Sequence, residues 1–156
     1  MNSPARAPQR TILFADGDGL LREVYSADAR RSGFKPLLAE TGEAAWHLFV
    51  KERPDAVVTD LELPGELGGY ALIERIRGTA LGAVIPIVAV SPGAKDMRGV
   101  CDAVIALDVD DYLEKPVHGE RLFWRIHELI EGRPIGLVAA EGQTRVGVPR
   151  PVSLDR

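Results

Sequence analysis

The feature that most constrains this chain is an alternation that occurs five times: a short apolar run, a turn, then a longer segment with helical spacing. The runs fall at 11–16, 36–40, 56–60, 85–91 and 111–115, and the helical segments at 20–32, 43–52, 69–78, 96–107 and 119–131. In the first helical segment Leu20, Leu21, Val24 and Ala27 recur at i, i+3 and i+4, and Gly33 stands where the helix would end. Ala45, Leu48 and Phe49 line one face of the second, which Pro54 stops. Leu122, Ile126, Leu129 and Ile130 share a face of the fifth, with Gly132 and Pro134 beyond it. The third and fourth runs, AVVT and IPIVAV, are almost wholly apolar, the pattern of strands covered on both faces. Strands separated by helices pair in parallel through right-handed crossovers. The expectation is an α/β three-layer sandwich with helices on both sides of one sheet.

Composition narrows what such a sheet does. The 156 residues are 46% hydrophobic and 27% charged, which suits one globular unit. A net charge of -4 offers no basic field for a nucleic-acid backbone, so none is expected as a partner. The single cysteine, Cys101, excludes an internal disulfide and reads as a small, half-buried residue of the fourth helix. The longest apolar run, 83–90, is too short for a bilayer and contains Pro86. No apolar stretch follows the N-terminal arginines before Asp16, so a cytoplasmic chain without membrane contact is expected. His47, His118 and His127 show no ligand spacing and read as surface histidines. Residues 1–10 hold two prolines and no apolar run, a flexible lead-in; 133–156 lack any period and read as a tail or linker; 11–132 form the domain.

In an open parallel sheet, ligands sit beyond the carboxyl ends of the strands. The first run ends in Asp16, with Asp18 two positions later; the third ends in Asp60, the fourth in Ser91 and the fifth in Lys115-Pro116. Carboxylates brought together repel, and a hard divalent cation relieves them. Mg²⁺ takes oxygen ligands, keeps several waters, and needs few carboxylates. A lysine and a hydroxyl beside it are what a phosphoryl group requires: neutralisation and hydrogen-bond donors. Only four lysines occur among the 19 basic residues, and one of them closes the fifth run.

The stretches ILFADGDGLLREVYSADARRSGF, PDAVVTDLELPGELGGYALIERIR, IPIVAVS and DDYLEKPV, in that order, resemble the receiver domain of bacterial two-component response regulators. The resemblance implies a flavodoxin-like (βα)5 sandwich, a parallel five-stranded sheet of order 2-1-3-4-5. It implies that Asp60 is the phosphoacceptor and that Mg²⁺ is held by Asp16, Asp60 and the backbone carbonyl of Glu62. Lys115 would pair with phosphoryl oxygens, Ser91 would hydrogen-bond the phosphoryl group, and Tyr112 would be the aromatic switch that turns inward. Lys115-Pro116 would be a cis bond. The implied phosphodonor is a sensor histidine kinase or a phosphotransfer protein. The implied protein is a stand-alone receiver, an enzyme only in dephosphorylating itself. Its phosphorylation alters the surface made by the fourth helix, fifth strand and fifth helix. An output protein or a second copy of the chain would bind there. Trp124 lies off the Leu122–Ile126–Leu129 stripe and is the candidate partner contact on that surface, with packing on the tail as the alternative. Trp46 reads as packing.

Two departures qualify the resemblance. The family carries two adjacent acids after its first strand, and here Gly17 follows Asp16. Asp18 either supplies the lost metal ligand, caps the first helix, or does both. A lost carboxylate weakens Mg²⁺ binding, which opens the alternative of a phosphorylation-independent pseudo-receiver. The segment from Ser91 to Lys115 is also longer than usual and begins Pro92-Gly93, so a shifted fourth helix and preceding loop are expected. A remoter alternative is a phosphatase: DGDGL after an apolar strand resembles the first motif of the haloacid-dehalogenase family, with Asp16 as nucleophile and Asp18 as acid/base. That scheme has no use for residues 60–65, and Asp110-Asp111 precede Lys115 where it expects acids to follow.

Overall fold

The computed structural model describes residues 8–93 and 97–132. The order of elements is β1 (Thr11–Ala15), α1 (Gly19–Arg31), β2 (Lys35–Ala39), α2 (Gly42–Glu52), β3 (Ala56–Asp60), α3 (Gly69–Arg77), β4 (Ile87–Ser91), α4 (Met97–Ala106), β5 (Asp111–Glu114) and α5 (Gly119–Glu131). All neighbouring strands pair in parallel, in the order β2-β1-β3-β4-β5. This is the expected sandwich. The lead-in expected at 1–10 lies outside the described residues for 1–7, as does the tail at 133–156 and the loop at 94–96. Among the described residues no helix is long and apolar enough to cross a membrane.

Strand periodicity divides the core in two. Leu13, Ala15, Val57, Ile87 and Ala89 point to one face and pack with Leu72, Ile73 and Ile76 of α3, Ala45 and Phe49 of α2, and Val104 of α4. Ile12, Phe14, Val58, Val88 and Val90 point to the other, against Tyr25 and Ala29 of α1 and Leu122, Phe123 and Ile126 of α5. There Phe14 stacks on Tyr25 with ring centroids 5.2 Å apart. Both sides of β3 and β4 are thus covered, which is why their sequence carries no polar alternation.

β4 begins at Ile87, two residues later than the apolar run. Pro86 has no N–H for the ladder, and contributes only its carbonyl, which accepts from Val57 N at 3.0 Å. Below the sheet, Arg77 at the end of α3 spends all five guanidinium donors. They reach the carbonyls of Gly82, Ile85 and Asp108 and the carboxylate of Asp110 at 2.7–3.0 Å. Asp110 Oδ2 also accepts from Ile87 N at 2.8 Å, so one partly buried ion pair ties α3, β4 and the start of β5 together.

The register levels the strand ends. Asp60 pairs with Val90 and Ser91 with Glu114, while Lys115 N donates to Ser91 O at 2.8 Å. Asp16, Asp60, Ser91 and Lys115 therefore leave the sheet on one edge.

Candidate functional site

At that edge the ammonium of Lys115 stands between two carboxylates, 2.6 Å from Asp60 Oδ2 and 2.8 Å from Asp16 Oδ2. Asp16 and Asp60 are only 2% and 6% exposed. Their second oxygens are held by the backbone just beyond each strand. Asp18 N donates to Asp16 Oδ1 at 2.9 Å, and Glu62 N donates to Asp60 Oδ1 at 2.8 Å. Burial alone would lower the Lys115 pKa, but the bonds to Asp16 and Asp60 prevail and hold it above the usual lysine range. The ammonium is therefore fully charged at neutral pH. Two carboxylates against one ammonium leave the centre with one net negative charge.

An open cleft of about 500 Å³ covers this triad, walled by Gly17, Asp18, Glu62, Leu63 and Pro64. Asp18 caps α1: its Oδ1 accepts from Leu20 N at 2.9 Å and Leu21 N at 3.3 Å. Asp18 also lines the cleft. Ser91 is buried at the end of β4 and does not wall the cleft. Tyr112 on β5 is half-buried with its hydroxyl fully enclosed. Burial pushes that phenol up, and the nearby Ser91 hydroxyl opposes it in part, without the geometry of a hydrogen bond. The Lys115-Pro116 bond is cis. Trp124 is 49% exposed on α5. Trp46 stacks on Phe49 and lies under Arg75, as a packing residue does. Cys101 is partly buried, and His47, His118 and His127 are exposed.

Three contributors escaped the sequence reading. Arg22 donates to the Asp16 carbonyl at 2.8 Å, bracing the turn after β1. Tyr25, buried beneath the site, has its phenol raised to about 12, by burial first and by Asp16 next. Glu43 of α2 reaches across to the loop after β3. Neither Arg22 nor Tyr25 lies on the stripe expected for the first helix, and that stripe is corrected by the structure: Leu20, Val24 and Ala27 are exposed, while Tyr25, Ser26 and Ala29 form the buried face of α1. Nothing local marked Glu43.

Among the described residues, no three His, Cys, Asp or Glu side chains converge as a metal-binding group. The oxygen set nevertheless fits Mg²⁺, which keeps waters and asks for little. Asp16 Oδ2 is enclosed and, among the described residues, meets only the Lys115 ammonium at 2.8 Å, so it retains acceptor capacity. Gly17 accounts for the missing third acid.

Comparison with known proteins points the same way. The family described as the response regulator receiver domain matches residues 12–127. The transcriptional regulatory protein CseB of Streptomyces coelicolor is 32% identical over 126 residues, 80% of this chain and 50% of its own. Response regulator MprA of Mycobacterium tuberculosis is 35% identical over 121 residues, 76% of this chain and 50% of its own. The chain spans about half the length of the curated relatives it matches. The structure is similar to that of chemotaxis response regulator CheY4 of Vibrio cholerae. The TM-score is 0.71 at 19% identity, covering 78% of this chain and 99% of that one. The receiver domain of Francisella response regulator 1452 gives 0.70 at 22% identity, covering 80% and 98%. At such identities the likeness is one of fold.

Proposed function

The chain belongs to the response regulator receiver family of two-component signalling proteins, and on that premise we propose that Asp60 accepts a phosphoryl group from a sensor histidine kinase or a phosphotransfer protein. The contact between Asp60 Oδ2 and Lys115 Nζ at 2.6 Å carries this reading. It places the one ammonium of the site on the oxygen pair that would attack. An Asp60 oxygen forms the new bond to phosphorus, the P–N bond to the donor histidine breaks, and its electron pair leaves with the imidazole. Lys115 exchanges part of its contact with Asp60 for the phosphoryl oxygens, limiting the charge repulsion of attack. Asp16, Asp60 and the Glu62 carbonyl would hold Mg²⁺, with Asp18 nearest to replace the acid absent at Gly17. When bound, that ion neutralises charge shared by carboxylates and phosphoryl oxygens.

The acyl phosphate adds roughly 1.5–2 negative charges. Ser91 follows the new oxygens, Tyr112 follows Ser91, and the α4–β5–α5 surface that carries Trp124 changes its binding. The partner there is a protein or a second copy, which the net charge of -4 favours over nucleic acid. The relatives that are transcriptional regulators are proteins of which this chain spans about half the length.

Gly17 favours one second reading: a pseudo-receiver that uses the same surface without phosphate. One experiment separates them. The protein is incubated with acetyl phosphate and Mg²⁺ and resolved on a phosphate-affinity gel beside Asp60→Asn. A shift abolished by Asp60→Asn is expected. No shift in either sample would favour the pseudo-receiver. A shift that survives Asp60→Asn but needs Asp16 would revive the phosphatase reading.

A further inference from the structure

We propose that Glu43, in the first turn of α2, is a positioning residue for this site: its carboxylate clamps the β3–α3 loop by two backbone amides and so fixes the geometry at Asp60. The functional part of this inference rests on Asp60 being the acceptor.

Glu43 Oε1 accepts from Glu66 N and from Leu67 N, each at 2.8 Å, across 23 and 24 residues of chain. The loop is shaped to admit it. Gly65 takes φ +96, a left-handed turn, and a Cβ there would lie 2.6 Å from Glu43 Oε2. Backbone contact continues one residue earlier, where a Cβ on Gly42 would fall 1.8 Å from Leu67 O. An acid in a first turn ordinarily serves its own helix. This one also bonds another element, and charge-assisted bonds to two consecutive amides are the stronger kind. The Leu67 amide above all holds the Glu43 carboxyl below the usual glutamate range.

The same loop reaches the reacting centre from its other end. Glu62 N donates to Asp60 Oδ1 at 2.8 Å, and Glu62, Leu63 and Pro64 wall the cleft. A segment bonded to Asp60 at one end and to Glu43 four to five residues on has little freedom between them. Because Glu43 and its two bonds are exposed, water can replace the carboxylate, and the fold does not depend on it. What depends on it is the placement of the Glu62 amide and carbonyl.

The test compares the full chain with Glu43→Gln and Glu43→Ala. Amide exchange at Glu62, Glu66 and Leu67, Mg²⁺ affinity, the acetyl-phosphate rate and the urea midpoint are measured. In Glu43→Ala the three amides are expected to exchange about three- to tenfold faster, with Mg²⁺ affinity and phosphorylation rate falling by a similar factor. The urea midpoint stays in place. Glu43→Gln keeps an oxygen for both amides and recovers most of the loss. Wild-type exchange at Glu62 and wild-type Mg²⁺ affinity in Glu43→Ala would overturn the clamp. So would equal impairment of both variants with a lowered urea midpoint, which marks a purely structural role. If the wild-type chain takes no phosphate, the acceptor reading fails by itself, and exchange at Glu62 decides the clamp.

Discussion

Lys115 holds apart two carboxylates that are almost out of water, and its removal exposes what each partner contributes. Lys115→Met leaves Asp16 and Asp60 facing each other with no cation between them. Breaking such a buried pair costs about 3–5 kcal/mol in a closed interior, and less here because the cleft is open. The expected result is a loss of about 2–3 kcal/mol in urea unfolding, no phosphorylation, and a larger stabilisation by millimolar Mg²⁺ than in the wild type. Tyr25 gives a pH prediction. Its phenol rises from 10.0 to about 12 in the folded protein, so the native state holds that proton more tightly than the unfolded chain does. The stability this represents is intact below pH 10.0 and disappears as pH climbs towards 12. Lys115, also raised, loses its contribution in the same direction. Tyr25→Phe is expected to flatten the alkaline limb of a stability–pH profile by roughly 2–3 kcal/mol at its far end, and to remove the last phenolate in an absorbance titration. Asp16, Asp60 and Lys115 were legible as the last residues of apolar runs. Tyr25 was not: it lies off the stripe expected for the first helix, and its burial beneath the charges follows from how α1 packs on the sheet.

At the scale of elements, close backbone approach decides where the strands' ends point. A Cβ on Gly69 would fall 2.1 Å from Asp60 O and 2.6 Å from Leu61 Cα. Gly69→Ala must therefore push the start of α3 away from the end of β3. A fall of about 2 kcal/mol in stability and a slower acetyl-phosphate reaction are expected together, in chemical denaturation and gel assays. The Arg77 clamp works at the opposite end of the sheet. Arg77→Ala takes the donors from three carbonyls, those of Gly82 and Ile85 on buried residues and that of Asp108 on an exposed one, and takes the cation from Asp110, which keeps Ile87 N. A loss of about 3 kcal/mol is expected, with Arg77→Lys recovering a minority because a lysine has three donors for five places. At denaturant concentrations where the variant is fully folded, its phosphorylation rate should match the wild type, since the clamp lies below the sheet. Neither element was marked by periodicity: Arg77 sits at the end of a helical stripe like any solvated cation, and its four acceptor groups come from residues 82–110.

For the molecule as a whole, two chemically separate faces emerge from one sheet. The acidic edge is the one proposed to take the phosphoryl group, and the α4–β5–α5 surface presents Trp124, 49% exposed, with Ile105, 52% exposed. Trp124→Ala is expected to leave the urea midpoint within about 0.5 kcal/mol of wild type while weakening self-association or partner binding of the phosphorylated form. Sedimentation velocity with and without acetyl phosphate reads the first of these, and an unchanged profile in the variant would move the interface elsewhere. By itself the sequence determined the succession of strands and helices, the two-faced core and the residues that close each strand. Periods of two and 3.6 are local, and parallel crossovers have one hand. The sheet order came with the family resemblance. Tertiary structure alone decided that Lys115 bridges both aspartates, that Glu43 bonds a loop 23 and 24 residues away, and that Arg77 reaches Asp108 and Asp110, 31 and 33 residues away. Those are hydrogen bonds between groups far apart in the chain, and their existence depends on strand register and on the conformation of distant turns, for which no local pattern of residues is a sufficient cause.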